Sequence, residues 1–195
     1  MLVAFGLLTS CGDKEEVVTI KTEFGDIVVI LFDDTPEHKK NFLELANGKF
    51  YDGTTFHRAM DNFMIQGGDP NSKDEDVNND GRGGPGYTIP AEFIEDHTHQ
   101  RGALAAARQP DQVNPKRESS GSQFYLVEPE MGAHHLDGEY TVFGQTISGF
   151  EVIEEIAIQP KNRRNRPMTD IKMTMEVKSL SKKKITKEYG YEFEQ

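Results

Sequence analysis

Short runs in which apolar and polar residues alternate recur along most of the chain, and such alternation predicts β-strands. Val17–Thr22 is the first run, and Ile27–Phe32 follows after a Phe-Gly-Asp turn, so we expect the two to pair as a hairpin. The remaining apolar segments are also short, with turn residues between them. A chain of this kind favours a sheet that is closed on itself.

One strand-like segment in the first third of the chain contains a single cation, Arg58. Unless a bulge intervenes, strand alternation places Met64 and Gln66 on one face and Phe63 on the other. The Gly-Gly pair at 67–68 predicts a tight exit from this strand. An arginine beside apolar side chains and an amide is suited to hydrogen-bonding a carbonyl oxygen of a ligand whose apolar ring packs on the neighbouring side chains.

Two segments carry the signals of a helix. Thr35 precedes Pro36 as an N-cap and first helical residue, and apolar residues at helical spacing continue to Gly48, which ends the helix. A second helix is expected from Ser148, because Ser-Gly-Phe-Glu, which ends at Glu151, matches a capping box. The apolar stripes of both helices predict core positions and not a cofactor site.

Composition and charge narrow the class of protein. The chain has 195 residues, of which 35% are hydrophobic and 28% charged, and this suits one soluble globular domain. Its formal net charge of −11 argues against a nucleic-acid partner and against electrostatic docking on an anionic membrane, since both favour a basic surface. Cys11 is the only cysteine, so the chain forms no internal disulfide.

The N-terminus nevertheless indicates a membrane anchor. Leu2–Leu8 is apolar but too short to span a bilayer, and the following Leu-Thr-Ser-Cys sequence, which ends at Cys11, resembles a bacterial lipobox. It predicts a signal peptide over 1–10, a lipid on Cys11 and a polar tether over 11–16. The protein is then expected in the cell envelope of a Gram-negative bacterium, on the periplasmic face or at the cell surface.

Two further patterns raise the question of a metal. Asp-x-Asn-x-Asp-Gly at 76–81 copies the first half of an EF-hand calcium loop, but Tyr87 stands where the bidentate Glu should be. We expect a solvated acidic loop there. The histidine pairs at 97/99 and 134/135 lack zinc-ligand spacing, so we expect them on the surface or in a groove, and Asp137 with Gly138 predicts a turn. The sequence predicts neither a metal nor a cofactor.

Four blocks of sequence occur in an order typical of one family. They are the block around Arg58, Gly-Ala-Leu-Ala-Ala-Ala at 102–107, Ser-Ser-Gly-Ser-Gln-Phe-Tyr at 119–125 and Leu-Asp-Gly-Glu-Tyr-Thr-Val-Phe-Gly at 136–144. In this order they resemble the cyclophilins, a family of peptidyl-prolyl cis-trans isomerases. The resemblance implies a mainly β fold, a closed eight-stranded antiparallel barrel capped by two helices, over residues 17–178.

Residues 179–195 are then a C-terminal extension. Its aromatic residues Tyr189, Tyr191 and Phe193 alternate as they would in a strand and could pack on the barrel. Solvated disorder is the alternative for this segment. The sequence leaves both open.

The resemblance also assigns residues to the site. Arg58 matches the catalytic arginine of the family. Tyr125 stands where Phe is frequent, His135 replaces a Trp of eukaryotic members, and Tyr140 replaces a His. The positions that match the substrate groove and the proline pocket are His57, Phe63, Met64, Gln66, Ala107, Arg108, Gln123, Tyr125, His135, Leu136 and Tyr140.

The implied reaction needs no nucleophile, metal or cofactor. Amide resonance opposes rotation about an X-Pro bond with a barrier of about 18–20 kcal/mol, and a guanidinium aimed at the prolyl nitrogen stabilises the twisted state. We therefore expect an isomerase that acts as a monomer on exposed or unfolded proline-containing segments outside the cytoplasm. The alternatives are a peptide-binding or chaperone module and a calcium-regulated surface protein.

Overall fold

The structure is a computed structural model that describes residues 13–193 as one antiparallel sheet, three α-helices and two short 3₁₀ helices. Cys11 and the predicted signal peptide lie outside the described residues. The strands are β1 (Lys14–Thr22), β2 (Gly25–Leu31), β3 (Arg58–Met60), β4 (Met64–Gly67), β5 (Thr88–Ile89), β6 (Ala103–Arg108), β7 (Ser119–Val127), β8 (Val142–Ser148) and β9 (Thr174–Ser181). The α-helices are α1 (Pro36–Asn47), α2 (Phe150–Ala157) and α3 (Lys182–Tyr189), and the 3₁₀ helices are Pro70–Lys73 and His134–Leu136.

The sheet has the strand order β3-β4-β7-β6-β8-β2-β1-β9, and β5 pairs with β7 beside this path. Within residues 13–193 no ladder joins the terminal strands β3 and β9, although an isolated bridge links Thr55 to Lys172 just before them. The mainly β, antiparallel fold is confirmed, but the closed barrel is not.

The prediction of eight strands and two helices was wrong in both counts. The additional strand is β5, whose two residues, Thr88 and Ile89, pair with the start of β7. The additional helix is α3. It begins after Ser181, whose hydroxyl accepts a hydrogen bond from the backbone N–H of Lys184 at 3.2 Å and so acts as an N-cap.

The inner face of the sheet packs on α1 and α2. The β1–β2 hairpin forms as predicted, and α1 begins at Pro36 and is capped by Gly48 as predicted, although the Thr35 side chain makes no capping hydrogen bond. The ring of Phe42 in α1 lies 5.4 Å from that of Phe124 and 5.5 Å from that of Phe143. These aromatic contacts hold α1 against the middle of the sheet.

A glycine, and not a capping box, begins α2. Ser148 is the last residue of β8, and Gly149 occupies the N-cap position with a φ of 88° and no side-chain cap. A Cβ on Gly149 would lie 2.3 Å from the carbonyl oxygen of Asp26, so this turn requires a glycine. The predicted capping box was wrong because Ser148 is committed to the sheet.

The first strand includes part of the predicted tether. Lys14 pairs with Ser181 in the ladder between β1 and β9, so β1 contains Lys14, Glu15 and Glu16. The backbone N–H of Lys182 donates to the carbonyl oxygen of Asp13 at 2.8 Å. The start of the described chain is thereby fixed beside the start of α3.

The C-terminal extension is folded onto the outer face of the sheet. Ile185 of α3 is fully buried in an apolar cluster on that face. The strand residues of this outer cluster are Val17, Val28, Ile30 and Ile147, and its partly buried members are Leu180, Tyr189, Tyr191 and Phe193. The extension therefore packs on the domain, and its segment Lys182–Tyr189 is helical where the aromatic alternation indicated a strand.

Candidate active site

Arg58 lies in β3 directly opposite Gln66 of β4, because the two strands pair in register. Its Nη1 donates to the Gln66 side-chain oxygen at 3.2 Å. Within residues 13–193 no carboxylate forms an ion pair with this guanidinium, and burial lowers the pKa of Arg58 from its usual value. The remaining donors of the guanidinium are thus free to hydrogen-bond to a ligand.

A chain of amides fixes the partner of this arginine. Gln66 Nε2 donates to Gln123 Oε1 at 3.0 Å, and Gln123 Nε2 donates to the carbonyl oxygen of Gly83 at 2.7 Å. Gln123 is 7% exposed, so its amide is held in place by packing as well as by hydrogen bonds. The chain turns the Gln66 oxygen towards Arg58 and thereby orients the cation.

The apolar pocket implied by the resemblance corresponds to a cluster of side chains on the outer face of β4, β6 and β7. Five of the predicted substrate-binding residues belong to one apolar cluster there: Phe63, Met64, Tyr125, Leu136 and Tyr140. The predicted Ala107 packs against the same cluster, and exposed His135 stacks on the Phe63 ring with centroids 5.7 Å apart. The fold therefore brings the predicted pocket residues together.

The predicted orientation of Phe63 was wrong. It was expected opposite Met64, but the two share the pocket cluster. The reason is that β4 begins only at Met64, after a turn in which Asn62 has a φ of 57° and Phe63 N–H donates to Met60 O at 3.1 Å. Strand alternation does not apply across that turn.

A buried network holds the hydroxyl of Tyr125. His99 Nε2 lies 2.8 Å from Tyr125 Oη, and His99 Nδ1 lies 2.8 Å from Asp137 Oδ1. A carboxylate only accepts, so Nδ1 carries the proton and the neutral ring accepts from the tyrosine through Nε2. The extra hydroxyl of Tyr125 therefore points away from the pocket, which keeps the wall that Phe would form.

Sequence reasoning missed this network. His99 was expected on the surface or in a groove and Asp137 in a turn, but His99 is fully buried and Asp137 also accepts from the His99 backbone N–H at 2.7 Å. Tyr125 could have indicated such a network, because the hydroxyl of a tyrosine in an apolar wall needs a hydrogen-bond partner.

Burial lowers the pKa of three histidines, His38, His57 and His99, below the usual 6.5. The unfolded chain then binds more protons than the folded chain as pH falls through 6.5, so the free energy of unfolding should decrease with acidification, by about 1.4 kcal/mol for each unit of pKa shift. Urea unfolding at about pH 7.5 and about pH 5.5 measures the change.

A matched variant isolates one contribution. His38→Gln removes a buried histidine of α1, so its stability should vary less with pH than that of the wild type. Equal stability of the wild type at the two pH values would contradict the assignment of these histidines as neutral and buried.

The edge of the groove is formed by β6. The ladder to β7 shifts register between Ala106 and Arg108, so Ala107 has no partner in it. The Arg108 side chain is held by Asp111 at 2.5 Å and stacks over Tyr140 at 4.6 Å. These contacts occupy the side chain, and the backbone of Arg108 is placed to pair with a peptide.

The groove itself is a cavity of about 1340 Å³ that Arg58 shares with His57, Gln66, Ala107, Arg108 and Gln123. The predicted groove and pocket residues other than His135 therefore line this cavity or belong to the apolar cluster, and His135 stacks on the Phe63 ring of that cluster. His57 is 6% exposed, and neither of its ring nitrogens has a hydrogen-bond partner among residues 13–193.

The acidic loop at 76–81 adjoins this cavity. Asp76 Oδ1 accepts from the Asn78 backbone N–H at 3.1 Å, and Asp80 is ion-paired with Arg166 at 2.6 Å. Across residues 13–193 no three His, Cys, Asp or Glu side chains are grouped so as to hold a metal ion. In the same part of the chain, no helix has the length and apolarity needed to cross a bilayer.

Comparison with known proteins places this geometry in a family. Residues 17–177 match the family described as cyclophilin type peptidyl-prolyl cis-trans isomerase/CLD. A peptidyl-prolyl cis-trans isomerase of Synechococcus elongatus is 43% identical over 129 residues, which is 65% of this chain and 77% of that protein. Peptidyl-prolyl cis-trans isomerase CYP18-1 of Arabidopsis thaliana is 36% identical over 161 residues, 80% of this chain and 91% of that one.

A solved structure has the same fold. The crystal structure of a Cryptosporidium parvum cyclophilin type peptidyl-prolyl cis-trans isomerase superposes on this chain with a TM-score of 0.73 at 30% sequence identity. The match covers 85% of this chain and 98% of the C. parvum chain. The chain belongs to the cyclophilin-type peptidyl-prolyl cis-trans isomerase family. It is an isomerase of class EC 5.2.1.8.

Proposed function

We propose that this isomerase accelerates X-Pro rotation in proteins that fold outside the cytoplasm, and that a lipid on Cys11 holds it at a membrane of the cell envelope. The observation that carries the location is the apolar run followed by Leu-Thr-Ser-Cys, with Cys11 as the only cysteine. The proposed enzyme works as a monomer, because one chain supplies the whole groove, and it needs no cofactor.

Arg58 is the proposed catalytic residue. A twisted X-Pro amide has a pyramidal prolyl nitrogen with a localised lone pair, and a planar amide does not. A guanidinium N–H directed at that nitrogen therefore binds the twisted state more tightly than either planar isomer, which lowers the barrier. Its hydrogen bond to Gln66 and the absence of an ion pair with any carboxylate of residues 13–193 support this role.

The apolar pocket is the proposed site of the proline ring. Phe63, Met64 and Leu136 offer contact surface without a charge, and the Tyr125 hydroxyl is satisfied by His99 and not by the ligand. Burying the pyrrolidine ring there anchors one side of the bond while the other side rotates. A related C. parvum structure was obtained in the presence of the dipeptide Ala-Pro.

The rest of the peptide is proposed to lie along β6. Ala107, which stands outside the β6–β7 ladder, marks the edge at which an extended peptide can pair with the backbone of Arg108. A chaperone that binds peptides without turnover would not require an oriented and uncompensated arginine at this point, so the geometry favours the enzyme.

Lipidation is tested with the full-length chain in a Gram-negative host. We expect the wild type to sediment with membranes and to incorporate a labelled fatty acid, and we expect Cys11→Ala to be soluble and unlabelled. A wild type without label would refute the anchor. Because the chain has no other cysteine, label on Cys11→Ala would place the modification elsewhere and refute the assignment equally.

A further inference from the structure

The arginines of this chain divide into two groups. Arg101, Arg108, Arg117 and Arg166 are each ion-paired with at least one carboxylate. Within residues 13–193, the other four form no ion pair, and all four line the same cavity. They are Arg58, Arg82, Arg163 and Arg164.

An ion pair holds together the two loops that carry these unpaired arginines. Arg166 Nε donates to Asp80 Oδ2 at 2.6 Å, and both side chains are nearly buried, with 10% and 7% exposed. Asp80 lies two residues before Arg82, and Arg166 lies two residues after Arg164. Two exposed cationic sites from distant parts of the sequence are therefore fixed around one groove.

The second loop is also tied to the catalytic strand. The Ala59 backbone N–H, next to Arg58, donates to the carbonyl oxygen of Asn165 at 2.8 Å. Asn162 closes the loop, since its N–H donates to the Arg166 carbonyl at 2.9 Å and its side chain accepts from the Arg164 N–H at 2.8 Å. Arg163 and Arg164 are thus presented from a hydrogen-bonded turn and keep a fixed relation to Arg58.

The cavity carries a surplus of positive charge on an acidic chain. Its lining includes two carboxylates: Asp80 is neutralised by Arg166, and Glu118 accepts from the Thr88 hydroxyl at 2.5 Å. Counting ion pairs within the described part of the chain, the lining has four unpaired guanidiniums and one carboxylate without a cation, whereas the whole sequence has a net charge of −11. A positive groove on a negative protein attracts acidic segments selectively.

We infer that the groove prefers X-Pro segments with an acidic side chain near the proline, and that Arg82, Arg163 and Arg164 provide this specificity. The inference names the substrate class of the isomerase site and rests on that activity. An exposed guanidinium–carboxylate pair contributes modestly, so we expect kcat/KM for a Glu-flanked peptide to exceed that for its Gln counterpart about two- to fivefold. Raising the ionic strength from about 0.02 M to about 0.5 M should reduce the ratio.

The test uses two peptide pairs around one Ala-Pro bond, with Glu or Gln two residues before the bond or two residues after it, and measures isomerisation by NMR exchange spectroscopy. The variant Arg82→Gln/Arg163→Gln/Arg164→Gln should bring the Glu-to-Gln ratio close to one. The control Lys40→Gln/Lys183→Gln/Lys187→Gln removes the same number of positive charges from exposed helix positions away from the groove and should retain the ratio.

The outcomes separate two failures. A wild type that accelerates Glu and Gln peptides equally at low salt, or a groove variant that retains the preference, would overturn the inference and leave the isomerase intact. A wild type that accelerates none of the peptides would refute the proposed function together with the inference. Loss of the ratio in the lysine control would also overturn it, because net charge alone would then explain the preference.

Discussion

Replacing Arg58 by Ala is expected to lower kcat/KM for X-Pro isomerisation at least about 100-fold while weakening peptide binding far less, because the cation is proposed to act mainly on the twisted amide. Substrate affinity is proposed to come largely from the apolar pocket, whose cluster does not include Arg58. Turnover is measured by NMR exchange, and affinity is measured by titration with a non-isomerising peptide.

Arg58→Lys is the informative companion of this variant. It keeps the charge but loses the planar fork that donates to Gln66 while other N–H groups face the ligand. We expect it to be nearer to Arg58→Ala than to the wild type. Wild-type turnover in Arg58→Ala, with the fold intact by circular dichroism, would remove Arg58 from the mechanism.

Ile185→Ala is expected to destabilise the domain by about 2–5 kcal/mol, because it opens a cavity where α3 covers the sheet. For a chain of this size such a loss corresponds to a fall in Tm of roughly 5–15 °C. Ile185 is fully buried, and its outer cluster includes Val17 of β1 and Val28 of β2. The C-terminal extension would thereby be shown to stabilise the whole sheet.

Two variants calibrate this result. Ile185→Val keeps most of the volume and should cost about 0.5–1.5 kcal/mol, and Lys183→Ala, at an exposed position of the same helix, should stay within about 0.5 kcal/mol of the wild type. Urea unfolding of the three variants gives the series. If Ile185→Ala unfolds at the wild-type urea concentration, then α3 does not contribute to the cooperative unit.

The sequence predicted those elements whose signals are local. The β1–β2 hairpin follows from alternation around a Gly-containing turn, and α1 follows from Pro36 at its start and Gly48 at its end. The tight exit from β4 was also predicted. Gly68 has a φ of 84°, and a Cβ there would lie 2.3 Å from the Ser122 carbonyl oxygen.

The predictions that failed depended on contacts distant in sequence. Ser148 has the right neighbours for a helix cap, but its place in β8 is decided by pairing with Val28. In the extension, the burial of Ile185 against β1 and β2 favours a helix over the strand that Tyr189 and Tyr191 suggested. Tertiary packing overrides local propensity in such cases.

For the candidate site too, some features could be predicted from the sequence, and those that depend on contacts distant in sequence could not. A resemblance identified residues at matching positions, and the structure places them in the cavity that Arg58 lines, in the apolar cluster or, for His135, against that cluster. It could not identify the partner of Tyr125, since the His99–Asp137 pair is defined by burial and not by spacing. Nor could it show which arginines lack carboxylates, because ion pairs such as Arg166–Asp80 join residues far apart in the chain.

The beginning of β1 at Lys14 limits how far the enzyme can move from its proposed anchor. An extended chain spans at most about 3.6 Å per residue, so the Lys14 Cα lies within roughly 11 Å of the Cys11 Cα. A lipidated domain would then stay close to the bilayer surface, because it would lack a long flexible linker that lets it diffuse through the aqueous compartment. Its clients would be chains that emerge at, or are attached to, the same membrane, and its catalytic output would scale with membrane area more than with compartment volume.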